Sequence, residues 1–185
     1  MKSLLVGAGA VGQCFGWHLQ RGGSQVGFLV KPRHAEAAEG GYTVHVLGGK
    51  HRGTHRFEGF SVFTDPAEAA AEPWDAIWLC VDVTALRGGW LEVLTAGAGD
   101  AAVVSIQPGL GDQAWLRDLV GESLVTGMFS AISYPAPLPG EDRRPGMAWW
   151  CPPMAPFVFG GRRAPPVVAA LRDGGVAARV GRDVA

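Results

Sequence analysis

Glycines recur where the first predicted strand turns into a helix. The apolar run SLLV is followed by GAGAVG, which places glycines at Gly7, Gly9 and Gly12. At such a turn the first glycine allows the tight bend, the second admits a pyrophosphate against bare backbone, and the third lets the helix lie close to the sheet. The helix amino terminus adds unpaired N–H groups and a partial positive charge that attract phosphate. The residues predicted to bind a dinucleotide here are Gly7, Ala8, Gly9, Ala10, Val11 and Gly12.

The alternative is a tight turn that binds nothing, because glycine-rich turns are common. The surrounding elements decide between the two interpretations. A helix from about Ala10 carries Cys14 and Phe15 within an apolar face of helical spacing. A second strand, Gln25–Val30, follows that helix. This order of strand, helix and strand requires a parallel pair, and it favours dinucleotide binding.

The end of the second strand indicates which dinucleotide is bound. NAD-binding sites carry an acid about 20 residues after the glycines, which accepts hydrogen bonds from the ribose. No acid lies between Gln25 and Arg33, and the segment VKPR supplies Lys31 and Arg33 instead. A cation there pairs with the 2′-phosphate of NADP, so we predict NADP, bound in part by Lys31 and Arg33. The alternative for Lys31 is a solvated loop lysine.

The composition suits one compact domain that spans residues 1–185. Apolar residues make up 48% of the chain and charged residues 18%, and the formal net charge is −1. We therefore expect no nucleic-acid partner and no membrane partner. No apolar run approaches the roughly 20 residues that span a bilayer, and the amino-terminal segment does not resemble a secretory signal. A cytoplasmic location is expected, and a homo-oligomer is left open.

The cysteines and histidines predict no metal site. Cys14, Cys80 and Cys151 are widely separated and form no C-x-x-C pair, so we expect ordinary buried thiols. His51 and His55 are four residues apart, which is a metal-ligand spacing on a helix. The glycines around them favour a solvated hairpin turn over a helix.

Strands and helices alternate, which predicts a doubly wound Rossmann-type α/β domain with a mostly parallel sheet and helices on both faces. Two continuous apolar runs, Ala76–Val81 and Ala101–Ile106, are typical of strands that are covered on both sides. The other expected elements are short strands between 41 and 64, a helix capped by Asp65 with Pro66 at its first position, a crossover helix within Thr84–Ala96, a helix capped by Asp112, a strand Ser123–Phe129, a proline-rich loop and irregular hairpin at about 134–161, a last helix Ala164–Asp173 and a short final strand.

The segment KSLLVGAGAVGQCFGWHLQRGGSQVGFLVKPRHAEA resembles the ketopantoate reductases (2-dehydropantoate 2-reductases). The likeness continues through WDAIWLCVDVTAL, VVSIQPGLGDQ, VTGMFSAIS and GVAARVGRDV, and so spans nearly the whole chain. It implies NADPH-dependent reduction of a 2-oxo acid to a 2-hydroxy acid on the route to pantothenate. It also implies that Lys31 takes the place of the family's 2′-phosphate-binding cation.

Two residues depart from the family pattern in the predicted cleft. Asp82 stands where the family usually has a lysine, and Pro108 where it usually has an asparagine, both near the nicotinamide and substrate in the family. Asp82 would repel the carboxylate of a 2-oxo acid, and Pro108 lacks a side-chain amide and a backbone donor. Val81, Asp82 and Gln107 lie on the expected cleft loops and complete the predicted cofactor site.

Family members continue into a helical domain that carries the lysine acting as general acid. We expect that domain to be absent here, because the sequence ends at Ala185, about where it should begin. The chain is then either a trimmed domain or a stand-alone module. Ser130 and Ser133 on the cleft loops are better explained as partners of loop backbone groups, so no catalytic residue is assigned. The chain alone is expected to bind NADP without turning over a 2-oxo acid.

Two other functions stay open. The first is a non-enzymatic nucleotide-binding or interaction module, in which Trp149, Trp150 and the residues up to Pro153 form an apolar docking surface. The alternative for these residues is edge packing against the sheet. The second is an opine-type or other 2-hydroxy-acid dehydrogenase that shares the same cofactor domain.

Overall fold

Short apolar strands form two sheets in the computed structural model, which describes residues 1–107 and 109–181. The predictions for Pro108 lie outside the described residues. The strands are β1 (Lys2–Val6), β2 (Gln25–Leu29), β3 (Tyr42–Val46), β4 (Gly53–Phe57), β5 (Ser61–Phe63), β6 (Ala76–Leu79), β7 (Ala102–Ser105), β8 (Leu124–Met128), β9 (Ile132–Ala136), β10 (Gly146–Trp150), β11 (Phe157–Gly160) and β12 (Ala178–Val180). The helices are α1 (Ala10–Arg21), α2 (Ala35–Glu39), α3 (Pro66–Ala70), α4 (Trp90–Ala96), α5 (Leu110–Val120) and α6 (Ala164–Asp173).

The larger sheet has the strand order β12-β11-β8-β7-β6-β1-β2-β5. Its neighbouring strands are parallel except for the antiparallel pair β8 and β11. The predicted α/β fold with a mostly parallel sheet is therefore confirmed. Strand β1 lies between β2 and β6, so the chain reverses its winding direction there. In open α/β sheets, ligands bind beyond the carboxyl ends of the strands at such a reversal.

Alternating side chains of β1 pack into two separate apolar layers, one on each face of the larger sheet. Leu4 and Val6 pack with Leu91 and other leucines from the α3–α5 side of the sheet. Leu5 packs on the opposite face, in the layer that holds α1, α6 and the smaller sheet. Because both faces are covered, the central strands are apolar along their whole length, as the sequence predicts.

Helix α1 lies between the two sheets. It contacts β1 and β2 on one side and β9 and β10 on the other. Residues 12–19 are all buried, and the Phe15 ring lies 4.9 Å from Trp78 and 5.5 Å from Phe129 between ring centroids. The smaller sheet, with strand order β4-β3-β10-β9, was not predicted. It covers the face of α1 that a simple doubly wound domain leaves to solvent.

Three predicted elements are wrong in detail. The irregular hairpin does not form between the two halves of residues 147–161, because β10 and β11 lie in different sheets. Strand β10 instead pairs antiparallel with β9, on the other side of the proline-rich loop. The crossover helix is broken at Gly88 and Gly89, and Gly89 has a φ of 74°. Asp112 does not cap α5, which begins at Leu110; the Asp112 carboxylate instead accepts a hydrogen bond from Arg87 at 3.0 Å.

Other local predictions are confirmed. The Asp65 carboxylate caps α3 by accepting from the Ala67 N–H at 2.8 Å, and Pro66 occupies the first helical position. His51 lies in the turn between β3 and β4, next to the β4 residue His55, and the two rings lie near the ring of Trp17.

None of the helices in the described part of the chain has the length and hydropathy to cross a bilayer.

The carboxyl ends of α1 and α6 touch backbone to backbone. A Cβ atom on Gly174 would lie 2.0 Å from the carbonyl oxygen of His18, and one on Gly22 would lie 2.7 Å from the Gly174 nitrogen. His18 Nδ1 also bonds the Gly174 carbonyl oxygen at 3.0 Å. Glycine at these two positions therefore allows the ends of the two helices to come into backbone contact.

We predict that Gly174→Ala lowers the free energy of unfolding by at least about 2 kcal/mol, because the two helices must separate to admit the methyl group. The matched control is Gly111→Ala in α5, where the added Cβ meets no atom within 4 Å. The control should change stability by less than about 1 kcal/mol, in the stabilising direction. Urea unfolding followed by circular dichroism measures both, and equal stability of the two variants would contradict the helix contact.

Candidate functional site

A cleft of about 650 Å³ opens beyond the carboxyl ends of β1, β2 and β5 and beside the residues that follow β6. Predicted cofactor residues from three separate segments meet in its wall. They are Gly7, Ala8 and Gly9 after β1, Lys31 and Arg33 after β2, and Val81 and Asp82 after β6. The cleft is within the usual size range of small-molecule sites, which runs from about 300 to 1,000 Å³.

The glycines of the first turn differ in the structural reason why a side chain is absent at each position. Gly7 has a φ of 94°, and a Cβ on it would lie 2.9 Å from the Val81 side chain. A Cβ on Gly12 would lie 2.1 Å from the carbonyl oxygen of Gly7. A Cβ on Gly9 would meet no atom within 4 Å, and the backbone there is ordinary extended chain. The fold therefore requires glycine at 7 and 12, whereas Gly9 keeps open the space in the cleft.

The amino terminus of α1 points unpaired donors at that space. Gly9 is its cap residue and makes no side-chain capping bond, and the first turn contains no acid. The first bond of the helix runs from the Gln13 N–H to the Gly9 carbonyl at 2.9 Å. The N–H groups of Ala10, Val11 and Gly12 therefore have no acceptor within the helix, and together they favour an anion.

Two exposed cations flank the cleft after β2. Lys31 precedes the 3₁₀ turn Pro32–His34, which contains Arg33. Arg33 Nε donates to His34 Nε2 at 3.1 Å. Within residues 1–107 and 109–181, the ion pairs found involve neither Lys31 nor Arg33. Both charges are therefore available to an anionic group in the cleft.

Asp82 holds a fixed negative charge at another part of the cleft wall. One of its oxygens accepts hydrogen bonds from the Thr84 hydroxyl, from the Thr84 N–H at 3.0 Å and from the Ala85 N–H at 3.1 Å. The Thr84 hydroxyl and the backbone donors lower the pKa of Asp82 below its usual value. The carboxylate is therefore ionised at neutral pH, where it caps the 3₁₀ turn Val83–Arg87.

Gln107 lies behind the cleft instead of lining it. Its side-chain amide is buried and donates to the carbonyl oxygens of Leu79 at 2.9 Å and Val81 at 2.8 Å. Its oxygen accepts from the Ser105 hydroxyl at 2.8 Å. Direct contact of Gln107 with a cofactor stays a prediction, and the geometry shows that this side chain ties the end of β6 to the end of β7.

Sequence reasoning missed part of the cleft wall. Thr64 and Pro66 follow β5, which lies parallel to β2, so the rule about carboxyl strand ends would have found them. Ser130 and Ser133 are not among the residues found in the wall, and the Ser130 hydroxyl donates weakly to the Pro156 carbonyl at 3.4 Å. Three further side chains of the cleft wall come from elements whose sequence gives no sign that they reach the cleft: Tyr42, Trp90 and Met147.

Strand order, winding reversal and glycine turn together define a Rossmann-type α/β domain with a cleft at its switch point. Residues 4–136 match the family described as ketopantoate reductase PanE/ApbA. The chain belongs to that family. No curated protein sequence matches the chain.

Solved structures share the fold over the whole chain. A 2-dehydropantoate 2-reductase from Methylococcus capsulatus matches with a TM-score of 0.77 and 18% identity, covering 100% of this chain and 58% of that one. A PanE/ApbA family ketopantoate reductase from Ralstonia eutropha JMP134 matches with a TM-score of 0.73 and 24% identity, covering 100% and 57%. A D-mandelate dehydrogenase bound to NADH and anilino(oxo)acetate matches with a TM-score of 0.73 and 18% identity, covering 100% of this chain and 58% of that one. The chain thus spans less than two thirds of the length of these proteins.

We predict that Gln107→Glu destabilises the chain by about 2–4 kcal/mol at neutral pH, because a carboxylate would face two carbonyl oxygens and lose both donated bonds. Burial raises the pKa of the introduced acid in the folded state, so its cost is small below the unfolded pKa of about 4.3 and grows as pH rises above it. Urea unfolding at several pH values measures this. Gln107→Met is the control without a charge, and an equal, pH-independent loss in both variants would contradict the prediction.

Proposed function

We propose that this chain binds NADPH in the cleft and serves as the cofactor-binding part of an NADPH-dependent reductase of 2-oxo acids. The observation that carries the proposal is the open space at Gly9, which the fold itself does not require. Bare backbone there, beside the amino terminus of α1, suits a pyrophosphate that no side chain obstructs.

The residues after β2 suit the adenosine end of the cofactor. Lys31 and Arg33 carry charges that a 2′-phosphate would pair with, and the acid that would bind a ribose hydroxyl of NAD is absent from Gln25–Arg33. Charge-assisted hydrogen bonds to such a phosphate supply the preference for NADPH over NADH.

When bound, NADPH supplies the hydride for reduction of a carbonyl group. A general acid must then reach the carbonyl oxygen. Of the titratable residues in the described cleft wall, Lys31, Arg33 and His34 lie after β2, at the proposed adenosine end, and Asp82 is ionised. Burial raises the pKa of the Tyr42 hydroxyl to about 12 and also raises the pKa of the Cys80 thiol, so both are weak acids at neutral pH. We therefore propose that turnover needs a proton donor from outside the described cleft, and that Asp82 disfavours a substrate carboxylate beside it. The proposal includes a 2-oxo acid as the substrate, a step in pantothenate biosynthesis and a cytoplasmic location. It makes no choice between a monomer and a homo-oligomer.

A second candidate is a dehydrogenase of other 2-hydroxy acids that uses NADH. The D-mandelate dehydrogenase with NADH, which shares this fold, is the observation in its favour. The cations at Lys31 and Arg33 argue for NADPH, so the cofactor preference separates the two candidates.

The first test is Gly9→Val. The added side chain enters open space, so the variant should lose no more than about 1 kcal/mol of stability, mainly from the poorer helix cap. NADPH binding, at about micromolar Kd in the unmodified chain, should weaken at least about tenfold in calorimetry. Equal affinity of the folded variant and the unmodified chain would exclude a pyrophosphate at this turn.

The second test is Lys31→Glu, with Lys50→Glu as the control that makes the same charge change away from the cleft. We expect Lys31→Glu to weaken NADPH binding by at least about tenfold and to leave NADH binding nearly unchanged, because only NADPH has the 2′-phosphate. Lys50→Glu should leave both affinities unchanged. If the unmodified chain binds NADH as tightly as NADPH, the NADP assignment is wrong and the second candidate is favoured.

A further inference from the structure

Two cysteines and a histidine meet between α1 and the end of β10. The ligand atoms of Cys14, His18 and Cys151 all lie within 4.8 Å of one another. Cys14 and His18 are four residues apart in α1, so they share one face of the helix. Cys151 directly follows β10, which packs against α1. The long separation of the two cysteines in the sequence concealed this cluster.

The hydrogen bonds of His18 leave one ring nitrogen as an acceptor. Its Nδ1 lies 3.0 Å from the Gly174 carbonyl oxygen, which can only accept, so Nδ1 carries the proton. Trp149 Nε1 donates to Nε2 at 3.3 Å, a long contact compared with the usual distance of about 2.9–3.0 Å. A metal ion at Nε2 would replace this long Trp149 contact. His18 would then donate one N–H to a backbone carbonyl and hold the metal with its other nitrogen, which is the arrangement typical of metal ligands.

We propose that Cys14, His18 and Cys151 form a site for a thiophilic divalent cation, with Zn²⁺ as the best match. Two thiolates and one imidazole nitrogen are a donor set that zinc takes in proteins, with a fourth position left for water or another ligand. His18 and Cys151 also line a separate cavity of about 220 Å³, which gives that fourth position access to solvent.

The charges of the donor set suit a divalent cation at this depth. Cys14 is only 1% exposed, so a net charge at the site would be poorly solvated. Two thiolates and a neutral imidazole compensate the two positive charges of the cation, which leaves a neutral buried site.

The ion would join α1 to the end of β10. Helix α1 also carries the unpaired N–H groups at the cofactor cleft, and β10 belongs to the smaller sheet. Metal binding would therefore stabilise the contact between the helix and the smaller sheet. The proposal does not depend on the identity of the nucleotide.

The test is a titration of the reduced chain with Co²⁺ in the absence of oxygen. Tetrahedral thiolate coordination gives Co²⁺ intense visible bands and a sulfur-to-cobalt charge-transfer band. We expect one Co²⁺ per chain, its displacement by Zn²⁺, and a rise in the unfolding temperature with either ion. Mg²⁺, which prefers oxygen ligands, should do neither.

Cys151→Ser is the diagnostic variant because Cys151 is only partly buried, and Cys80→Ser is the control that removes a thiol outside the cluster. Cys151→Ser should weaken Co²⁺ binding by at least about 100-fold, more than the loss of an outer-shell partner costs, while Cys80→Ser should bind as the unmodified chain does. Circular dichroism verifies that each variant is folded. The proposal is overturned if the folded, reduced chain shows no thiolate bands, if Cys151→Ser keeps them, or if Cys80→Ser loses them equally.

Discussion

The structure depends on one close backbone approach, that of Gly12 in α1 to the carbonyl oxygen of Gly7 at the end of β1. A side chain at position 12 would place its Cβ 2.1 Å from that oxygen. The helix can start this close to the strand only because both residues are glycine. The contact aims the amino terminus of α1 at the cleft, and so it determines where unpaired N–H groups and positive potential are found.

The rest of the fold holds α1 in that position. The larger sheet supports one side of the helix, the smaller sheet covers the other, and α6 meets its carboxyl end through backbone contacts at Gly174. A helix enclosed in this way is almost wholly buried, which explains why it carries Phe15, Trp17 and Cys14. The same enclosure brings Cys14 and His18 next to Cys151, so the proposed metal site and the proposed cofactor site lie on a single rigid element.

The sequence predicts the local elements better than their partners. The glycine turn, the Asp65 cap and the apolar central strands follow from short-range chemistry, and the structure contains all of them. The pairing of β10 with β3 does not follow, because strands about 100 residues apart leave no local signal of their register. For the cleft, residues at the carboxyl ends of parallel strands were predictable, whereas Trp90 and Met147 arrive through tertiary contacts. Gln107 was predicted to contact the cofactor because it follows β7, but its side chain donates hydrogen bonds to the backbone carbonyls of Leu79 and Val81.

Asp82 places a fixed negative charge in the wall of the cleft. Asp82 is held by three donors from the turn that it caps, so the negative charge is part of the local fold.

The central claim is that NADPH binds in the cleft with its pyrophosphate at the start of α1. A crystal structure of the chain with NADPH tests this claim most directly. We expect pyrophosphate oxygens within hydrogen-bond distance of the N–H groups at the start of α1, and the 2′-phosphate beside Lys31. Nucleotide bound elsewhere, or a first turn that contacts no phosphate, would contradict it.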